Sequence, residues 1–511
     1  MQRRTAPPLD FSPPRTDRAF RLGINGWFAL TAIFIFMVIN FADKALLGIA
    51  AEPMSQELGL SPTQYGIISS SFFILYSISS FVVGFLTIRF PAKRILAVLA
   101  IIWSIAQAII VSPLAGYSAL ILTRVLLGAG EGPAYGTANH AAMQWFPKHR
   151  RGMAAAIVGV GVPAGTMVAA PVVGALVAGI GWRETFGILG AASLVWAVLW
   201  MLFGREGPYR FDKAQATTPA QATDPGTQAT APAEATDPGT EAVRPDLVAG
   251  PAPVHAESTP DSEMSKAEME SAAEAESAAA DADEAPRKIG STLLTRTFIG
   301  SILGGVAAYW LTVLLIAWVP VYLTTTKGYG PAEVGWAISA PWAVQIVVNL
   351  FVVGWLSTFL MKRGVSARVA SGVVGSAAIT LAGIFLLLFM LFGSGSFGMV
   401  LLALAFGVGM CVIPVAQVLI GEISTLRQRG AILGIYTGIY SLTGVIAPAL
   451  TGAVVEASAD PLQGYAIIFG ISSALCIVAG IIGMLIINPE RDWKRIPLKS
   501  GSHLRTDFNG Q

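Results

Sequence analysis

Of 511 residues, 54% are apolar or aromatic and only 13% are charged, about half the charged share of a soluble domain. That balance excludes an ordinary soluble enzyme or binding domain and points to a chain dissolved in lipid. The net charge of +2, with no basic-aromatic platform and no finger spacing, excludes nucleic acid as a partner.

Residues 1–26 are polar and rich in Pro and Arg. They lack the short apolar core and small-residue cleavage site of a secretory leader, so the first apolar run is expected to stay in the mature protein. Runs long enough to cross the hydrocarbon, roughly 20 residues each, then recur twelve times, at 27–50, 63–87, 94–111, 118–140, 152–180, 186–203, 297–323, 333–361, 367–392, 397–421, 430–456 and 464–488. This predicts an all-α polytopic membrane protein of twelve transmembrane helices. Cys411 and Cys476 fall inside these runs, where a small buried apolar side chain is the expected role and no disulfide framework is implied. Of the 33 Lys and Arg, Lys44 and Arg124 lie deep within the runs, Arg94 and Arg368 at the first residues of the third and ninth, and only Arg183 and Lys327 in the odd-numbered connections. The others occupy the termini and even-numbered connections, which predicts a cytoplasmic-membrane protein with both termini cytoplasmic.

Residues 205–296 interrupt the pattern. Ala, Thr, Pro, Glu and Asp dominate 211–288, "ATDPGT" occurs at 222–227 and again at 235–240, and Lys266 is the only cation between Asp261 and Glu284. Such a stretch buries too little surface to offset its ordering entropy and reads as a disordered cytoplasmic linker. It separates six spans (27–204) from six more (297–488), flanked by tails at 1–26 and 489–511. The halves echo each other. "HRRGMAAAIVGVG" (149–161) leads to "APVVG", and "RQRGAILGIYTGI" (427–439) leads to "APALTG"; "GFLTIRFPAKR" (84–94) matches "GWLSTFLMKRG" (354–364). Duplicated six-span halves point to pseudo-symmetric bundles with a solute site between them.

The fourth run carries "RVLLGAGEGPAYGTANH" (124–140). Arg124 and Glu131 lie two turns apart, about 10 Å along a helix, and so share a face. A charge facing lipid is costly, so this face is expected to line a water-filled gap. Asp43 and Lys44 add an acid and a cation in the first run. Two cations suit an anionic substrate, for which Arg124 and Lys44 are the binding candidates; two carboxylates, Glu131 and Asp43, suit proton loading. The plain alternative is a fixed ion-pair network, Asp43 with Arg124 or Lys44 with Glu131. Tyr76, Tyr309, Trp310, Gln345, Asn349, Gln417, Tyr436 and Tyr440 offer hydrogen bonds and ring faces to a small organic anion, or merely pack helices. His140 reads as interfacial, and Glu333 and Glu422 as helix-end residues. Pro133, Pro163, Pro171, Pro414 and Pro448 are expected to kink their helices.

Over nearly all of the chain outside linker and tails, these features resemble the major facilitator superfamily. Gly84, Arg89, Lys93 and Arg94 match its cytoplasmic loop motif, although Ile88 stands where the motif has Asp and Pro91 where it has Gly. In the second half Gly354, Lys362 and Arg363 match while Thr358 replaces the Asp. Within that superfamily, "NFADKALLGIA" (40–50), "RVLLGAGEGPAY" (124–135), "GWRETFGILG" (181–190) and "AWVPVYL" (317–323) are similar to segments of the anion:cation symporter family. The resemblance implies the major facilitator fold and proton-coupled uptake of a small organic anion, such as a sugar acid or aromatic acid, by a functional monomer in the bilayer. It also implies that Tyr76 contacts substrate. No cofactor or metal is implied. No Walker A loop, HExxH or Gly-x-Ser-x-Gly elbow supports an enzyme. A proton-coupled exporter of amphipathic compounds and a non-transporting membrane sensor are the alternatives. Deleting residues 215–285 is expected to leave membrane insertion and uptake largely intact; normal insertion with lost uptake, measured in vesicles, would contradict the linker assignment.

Overall fold

The computed structural model describes residues 23–87, 90–146, 151–208, 289–393 and 395–496. They belong to one unit drawn from Met1–Arg210 and Glu284–Gln511. The linker expected over 205–296 lies almost wholly outside the described residues, as do Arg89 and the first 22 residues.

The first half comprises α1 (Ile24–Ile49), α2 (Ala51–Leu58), α3 (Pro62–Leu86), α4 (Ala92–Val111), α5 (Tyr117–Glu131), α6 (Ala134–Met143), α7 (Arg151–Ile180) and α8 (Trp182–Phe203). The second comprises α9 (Ile289–Leu293), α10 (Arg296–Ala317), α11 (Val319–Lys327), α12 (Pro331–Asn349), α13 (Ser357–Lys362), α14 (Val374–Phe392), α15 (Gly395–Gly409), α16 (Val412–Glu422), α17 (Leu426–Ser441), α18 (Thr443–Ala457), α19 (Pro461–Ile486) and α20 (Pro489–Arg495). Among the described residues, ten helical segments are long and apolar enough to cross a membrane. The remaining two of the twelve expected runs are helical as well. One is α3; the other is α5 with α6, cut into two short helices at Gly132–Pro133.

Backbone inside a bilayer must satisfy its own hydrogen bonds, so departures from regular helix are confined to places covered by protein or water. Spans seven, ten and eleven break at Trp318, at Met410–Cys411 and at Leu442, and Pro163, Pro171, Pro341 and Pro448 sit inside helices. Two π-helical turns, Leu350–Leu356 and Arg368–Val373, flank the connection after span eight. The Ser357 hydroxyl lies against the carbonyls of Val352 (2.9 Å) and Ala370 (2.8 Å), bridging the two wide turns.

In the first half α1 packs on α7 and α8, α3 on α5, and α4 on α8; in the second, α14 packs on α15 and α19, and α10 on α16 and α19. The halves meet along two seams, α3 with α18 and α7 with α12. Each seam is built from reciprocal glycines. Gly66 rests on the Pro448 carbonyl and Gly452 on that of Pro62; Gly174 rests on the Pro331 carbonyl and Gly335 on that of Ala170. A Cβ at any of the four would overlap a carbonyl oxygen, so the backbones approach this closely only because no side chain intervenes. Hydrogen bonds cross the seams at the same end. Ser61 Oγ and the Thr63 amide both donate to Glu456 Oε2 (2.8 Å each), and the Ala449 amide donates to Ser70 Oγ (3.0 Å). The Tyr65 hydroxyl donates to the Ala317 carbonyl (2.7 Å) and Ser339 Oγ to that of Met167 (2.9 Å). The bundle is therefore closed at the end that carries the odd-numbered connections.

Arg183 stiffens that end. Its guanidinium pairs with Glu57 (2.9 Å) and donates to the carbonyls of Ile110 (3.0 Å), Ser112 (2.9 Å) and Ala115 (3.3 Å), tying α2 and the α4–α5 connection to α8. Burial works against the charged Glu57 carboxyl, but hydrogen bonds from Arg183 and Trp182 outweigh it and hold its pKa below the ordinary value.

The seam geometry makes a direct prediction. Gly335→Leu should hold the odd-numbered ends apart, so that a Thr312→Cys reporter on the interior wall reacts faster with an impermeant maleimide added from that side. Unchanged labelling in a well-inserted protein would show that the close glycine contact does not control closure.

Candidate functional site

A cavity of about 950 Å³ lies between the halves. Its lining runs from Ser69 and Ala317, near the closed seams, to Thr87, His140 and Gly354, near the even-numbered connections. That volume sits at the upper end of the usual range for small-molecule sites.

The α5 helix is positioned by its glycines. Gly128 and Gly132 press against the carbonyls of Phe72 and Tyr76 on α3, while Gly130 accepts the indole of Trp103 from α4. The alternating glycines of "GAGEG" are thus packing surfaces on two sides of one helix, and they bring Arg124 and Glu131 into the interior. The orientation of α1 is set by an aromatic stack: Phe36 lies 4.6 Å from both Trp103 and Trp196. The Trp196 indole N–H donates to the Ala32 carbonyl (2.8 Å). Two turns further on, Asn40, Asp43 and Lys44 follow on the same helix.

Lys44 reaches from α1 to α5. Its Nζ donates to Asn40 Oδ1 (2.7 Å) and forms an ion pair with Glu131 Oε2. It lies over the Phe41 ring at 4.4 Å from the centroid, with Phe72 and Tyr76 each at 5.8 Å. Aromatic faces stabilise a desolvated ammonium here. Arg124 is 2% exposed and sits 5.0 Å over the Phe186 ring. Its Nε and Nη2 have no hydrogen-bond partner, and no carboxylate lies within ion-pair distance of it among the described residues. Asp43 is 1% exposed with the Gln107 side chain beside it, and its carboxylate oxygens make no hydrogen bond of normal geometry among the described residues.

The two cations line the cavity, and the two carboxylates do not. Glu131 was expected on the cavity face with Arg124. It stops short because Lys44 crosses in front of it, and because α5 ends at Glu131, before the Gly132–Pro133 break. Of the two pairings considered from sequence, Lys44 with Glu131 is formed and Asp43 with Arg124 is not.

Tyr76 and Gln417 line the cavity, together with Tyr309, Gln345, Asn349 and Tyr440. Trp310 and Tyr436 do not. The Trp310 indole donates to Ser472 Oγ (2.9 Å) inside the second half, and Tyr436 is fully buried where Gly305 makes room for its ring. His140, expected at an interface, lies on the cavity wall 3.1 Å from Gln144. Glu333 caps α12 by accepting from the Gly330 amide (2.9 Å), and Glu422 is exposed at the end of α16. In the loop motif, Lys93 and Arg94 begin α4 away from the cavity. The Lys93 amide donates to Glu206 (2.8 Å) and its carbonyl accepts from the Trp200 indole (3.0 Å). Gly84 lies in the final turn of α3.

Sequence reasoning missed Asn40, Phe41, Phe72, Phe73 and Trp342. Asn40 was legible, being one turn before Lys44. The rings were not, because aromatic residues are unremarkable in apolar helices. Phe72, Phe73, Tyr76, Tyr309 and Tyr440 form a continuous chain of ring contacts at 4.9 to 6.0 Å, crossing the cavity wall from one half to the other.

Two six-helix halves closed at one end around an interior cavity define a polytopic integral membrane protein. The family model of the Major Facilitator Superfamily matches residues 33–377 and again 301–507, and the chain belongs to that superfamily. It is 35% identical over 196 residues to the hexuronate transporter of Bacillus subtilis, a match covering 38% of this chain and 46% of that protein, less than half its length. It is 26% identical over 479 residues to a probable galactarate/D-glucarate transporter of the same organism, covering 93% of each. A crystal structure of a bacterial homolog of the human lysosomal transporter Spinster, inward-facing and unoccupied, superposes with a TM-score of 0.67 at 18% identity, covering 93% of this chain and 99% of that one.

Removing Lys44 leaves Glu131 buried without its partner, a change that typically costs about 3 to 5 kcal/mol. Lys44→Met should therefore lower the melting temperature of the purified protein, and Lys44→Met combined with Glu131→Gln should recover most of the loss. Additive losses in the double variant would show that the pair is not coupled.

Proposed function

We propose that the protein is a secondary active transporter that takes up a small organic anion together with protons, by alternating access. The observation that carries this reading is the layering of charge in the first half: Lys44 and Arg124 on the cavity wall, Glu131 and Asp43 behind them. An anion entering the cavity meets the cations and competes with Glu131 for Lys44. A buried carboxylate that loses its counter-ion is strongly destabilised as an anion. Glu131 then takes a proton, or the substrate does not bind. The relatives named for hexuronate and for galactarate/D-glucarate support an acidic organic substrate.

The same reading assigns residues 27–204 and 297–488 as the moving halves and 205–296 as the tether between them. The cationic even-numbered connections face the cytoplasm of a plasma membrane, with both termini inside and the monomer as the working unit. The closed odd-numbered seams then make this conformation inward-facing. Tyr76 and Gln417 contact the body of the substrate from opposite halves.

Glu131→Gln mimics the protonated carboxyl. In proteoliposomes it is expected to keep substrate binding and counterflow but to lose accumulation driven by an inward proton gradient; Asp43→Asn shows the same split if the two acids share the proton. Wild-type accumulation by Glu131→Gln would remove Glu131 from coupling. Loss of counterflow and binding as well would make its pair with Lys44 structural.

A further inference from the structure

The α3 and α5 helices run side by side in the same direction, and their register is fixed by two contacts, Gly128 on the Phe72 carbonyl and Gly132 on the Tyr76 carbonyl. One turn back, this register brings Arg124 level with Ile68 and Ser69. Ile68 is fully buried in the core, whereas Ser69 lines the cavity. Ser69 is 2% exposed; the Tyr65 hydroxyl one turn earlier is its polar neighbour, but no hydrogen bond of normal geometry joins the two.

The groups around it are already committed. Tyr65, one turn earlier, donates its hydroxyl to the Ala317 carbonyl (2.7 Å). Ser70 Oγ accepts from the Ala449 amide (3.0 Å), and Ser71 Oγ donates to the Ile68 carbonyl (2.7 Å). Serines inside helices ordinarily bond back to their own backbone, as Ser71 does. Ser69 does not, and a buried hydroxyl left unbonded is unfavourable. It shares its level with a guanidinium whose Nε and Nη2 are equally unpartnered. A carboxylate held along one edge by two guanidinium N–H groups keeps lone pairs free to accept an O–H from a neighbouring donor.

We infer that the Ser69 hydroxyl is the third donor of the anion subsite, beside Arg124 and Lys44, and that it links occupancy of that subsite to the α3–α18 seam. The inference rests on reading the cavity as an anion site. The link is covalent and short: the next residue, Ser70, holds the seam through Ala449, and Gly66, one turn earlier, rests on Pro448. An anion that draws on Ser69 acts on α3 at the level where the halves are joined.

The test uses the full-length purified protein with D-glucuronate, D-galactarate and benzoate as probes, reading half-saturating concentration from ligand-induced thermal stabilisation. For any probe that stabilises the wild type, Ser69→Ala should raise that concentration by about tenfold or more, the usual worth of a hydrogen bond to a charged group. Ser69→Thr, which keeps the hydroxyl, should restore it. Ser70→Ala should leave affinity unchanged while speeding maleimide labelling of Thr312→Cys from the odd-numbered side. Unchanged affinity in Ser69→Ala alongside lost binding in Arg124→Gln overturns the role of Ser69 and leaves the anion site standing. An equal loss of affinity in Ser70→Ala also overturns it, because the effect would then come from α3 packing. Wild-type binding by Arg124→Gln, or no stabilisation of the wild type by any of the three probes, overturns the anion reading and the Ser69 assignment with it.

Discussion

A charge placed among lipid-spanning helices has to be matched by an opposite charge, an aromatic face or water, and the structure is arranged around four such charges. Lys44 is matched by Glu131, Asn40 and the Phe41 ring; among the described residues Arg124 has the Phe186 ring and the more distant carboxylates of Glu131 and Asp43, and Asp43 has the Gln107 side chain beside it. Unmatched ionic groups are costly in a low-dielectric interior, and the helices that carry them are closely packed. The α5 helix is clamped on two sides by its glycines, and α1 is pinned by the Phe36–Trp103–Trp196 stack.

The halves share a plan but not a chemistry. Among the described residues, no Lys, Arg, Asp or Glu of the second half lines the cavity; that wall offers Tyr309, Gln345, Asn349, Gln417 and Tyr440. The charged groups of the cavity wall therefore belong to one half, and the other supplies only neutral ones among the described residues. A solute that bridges both walls couples them without a charge having to move between halves. The seams follow the same economy of parts, since four glycines, two from each half, suffice to bring backbones into contact.

Much of this was legible in the sequence, for physical reasons. Twelve apolar runs appear because a lipid-facing helix has almost no freedom of composition, and the duplication appears because Arg-Gly and Ala-Pro recur at matching places in spans five and eleven. Arg124, Lys44, Glu131 and Asp43 stand out since charges are rare in such runs. What the sequence left hidden is depth. Helical periodicity places Glu131 and Arg124 on one face but says nothing of a lysine from another helix crossing in front of one of them. Trp310 and Tyr436 are aromatic like Tyr309 and Tyr440, yet they turn into the second half, and only packing against Ser472 and Gly305 distinguishes them. Ser69 sits in a run of three serines whose individual partners cannot be told apart before the helices are assembled.

Phe41 belongs to the first half and Trp342 to the second, and their rings meet edge to face at 6.1 Å on the cavity wall. Phe41 is also the ring beneath the Lys44 ammonium. Trp342 is 1% exposed, so its indole is held in an apolar setting for as long as the halves touch. When they part and water reaches it, its emission should move to longer wavelength. Because the chain has 12 tryptophans, the difference between the wild type and Trp342→Phe would isolate that signal as an optical report of separation between the halves.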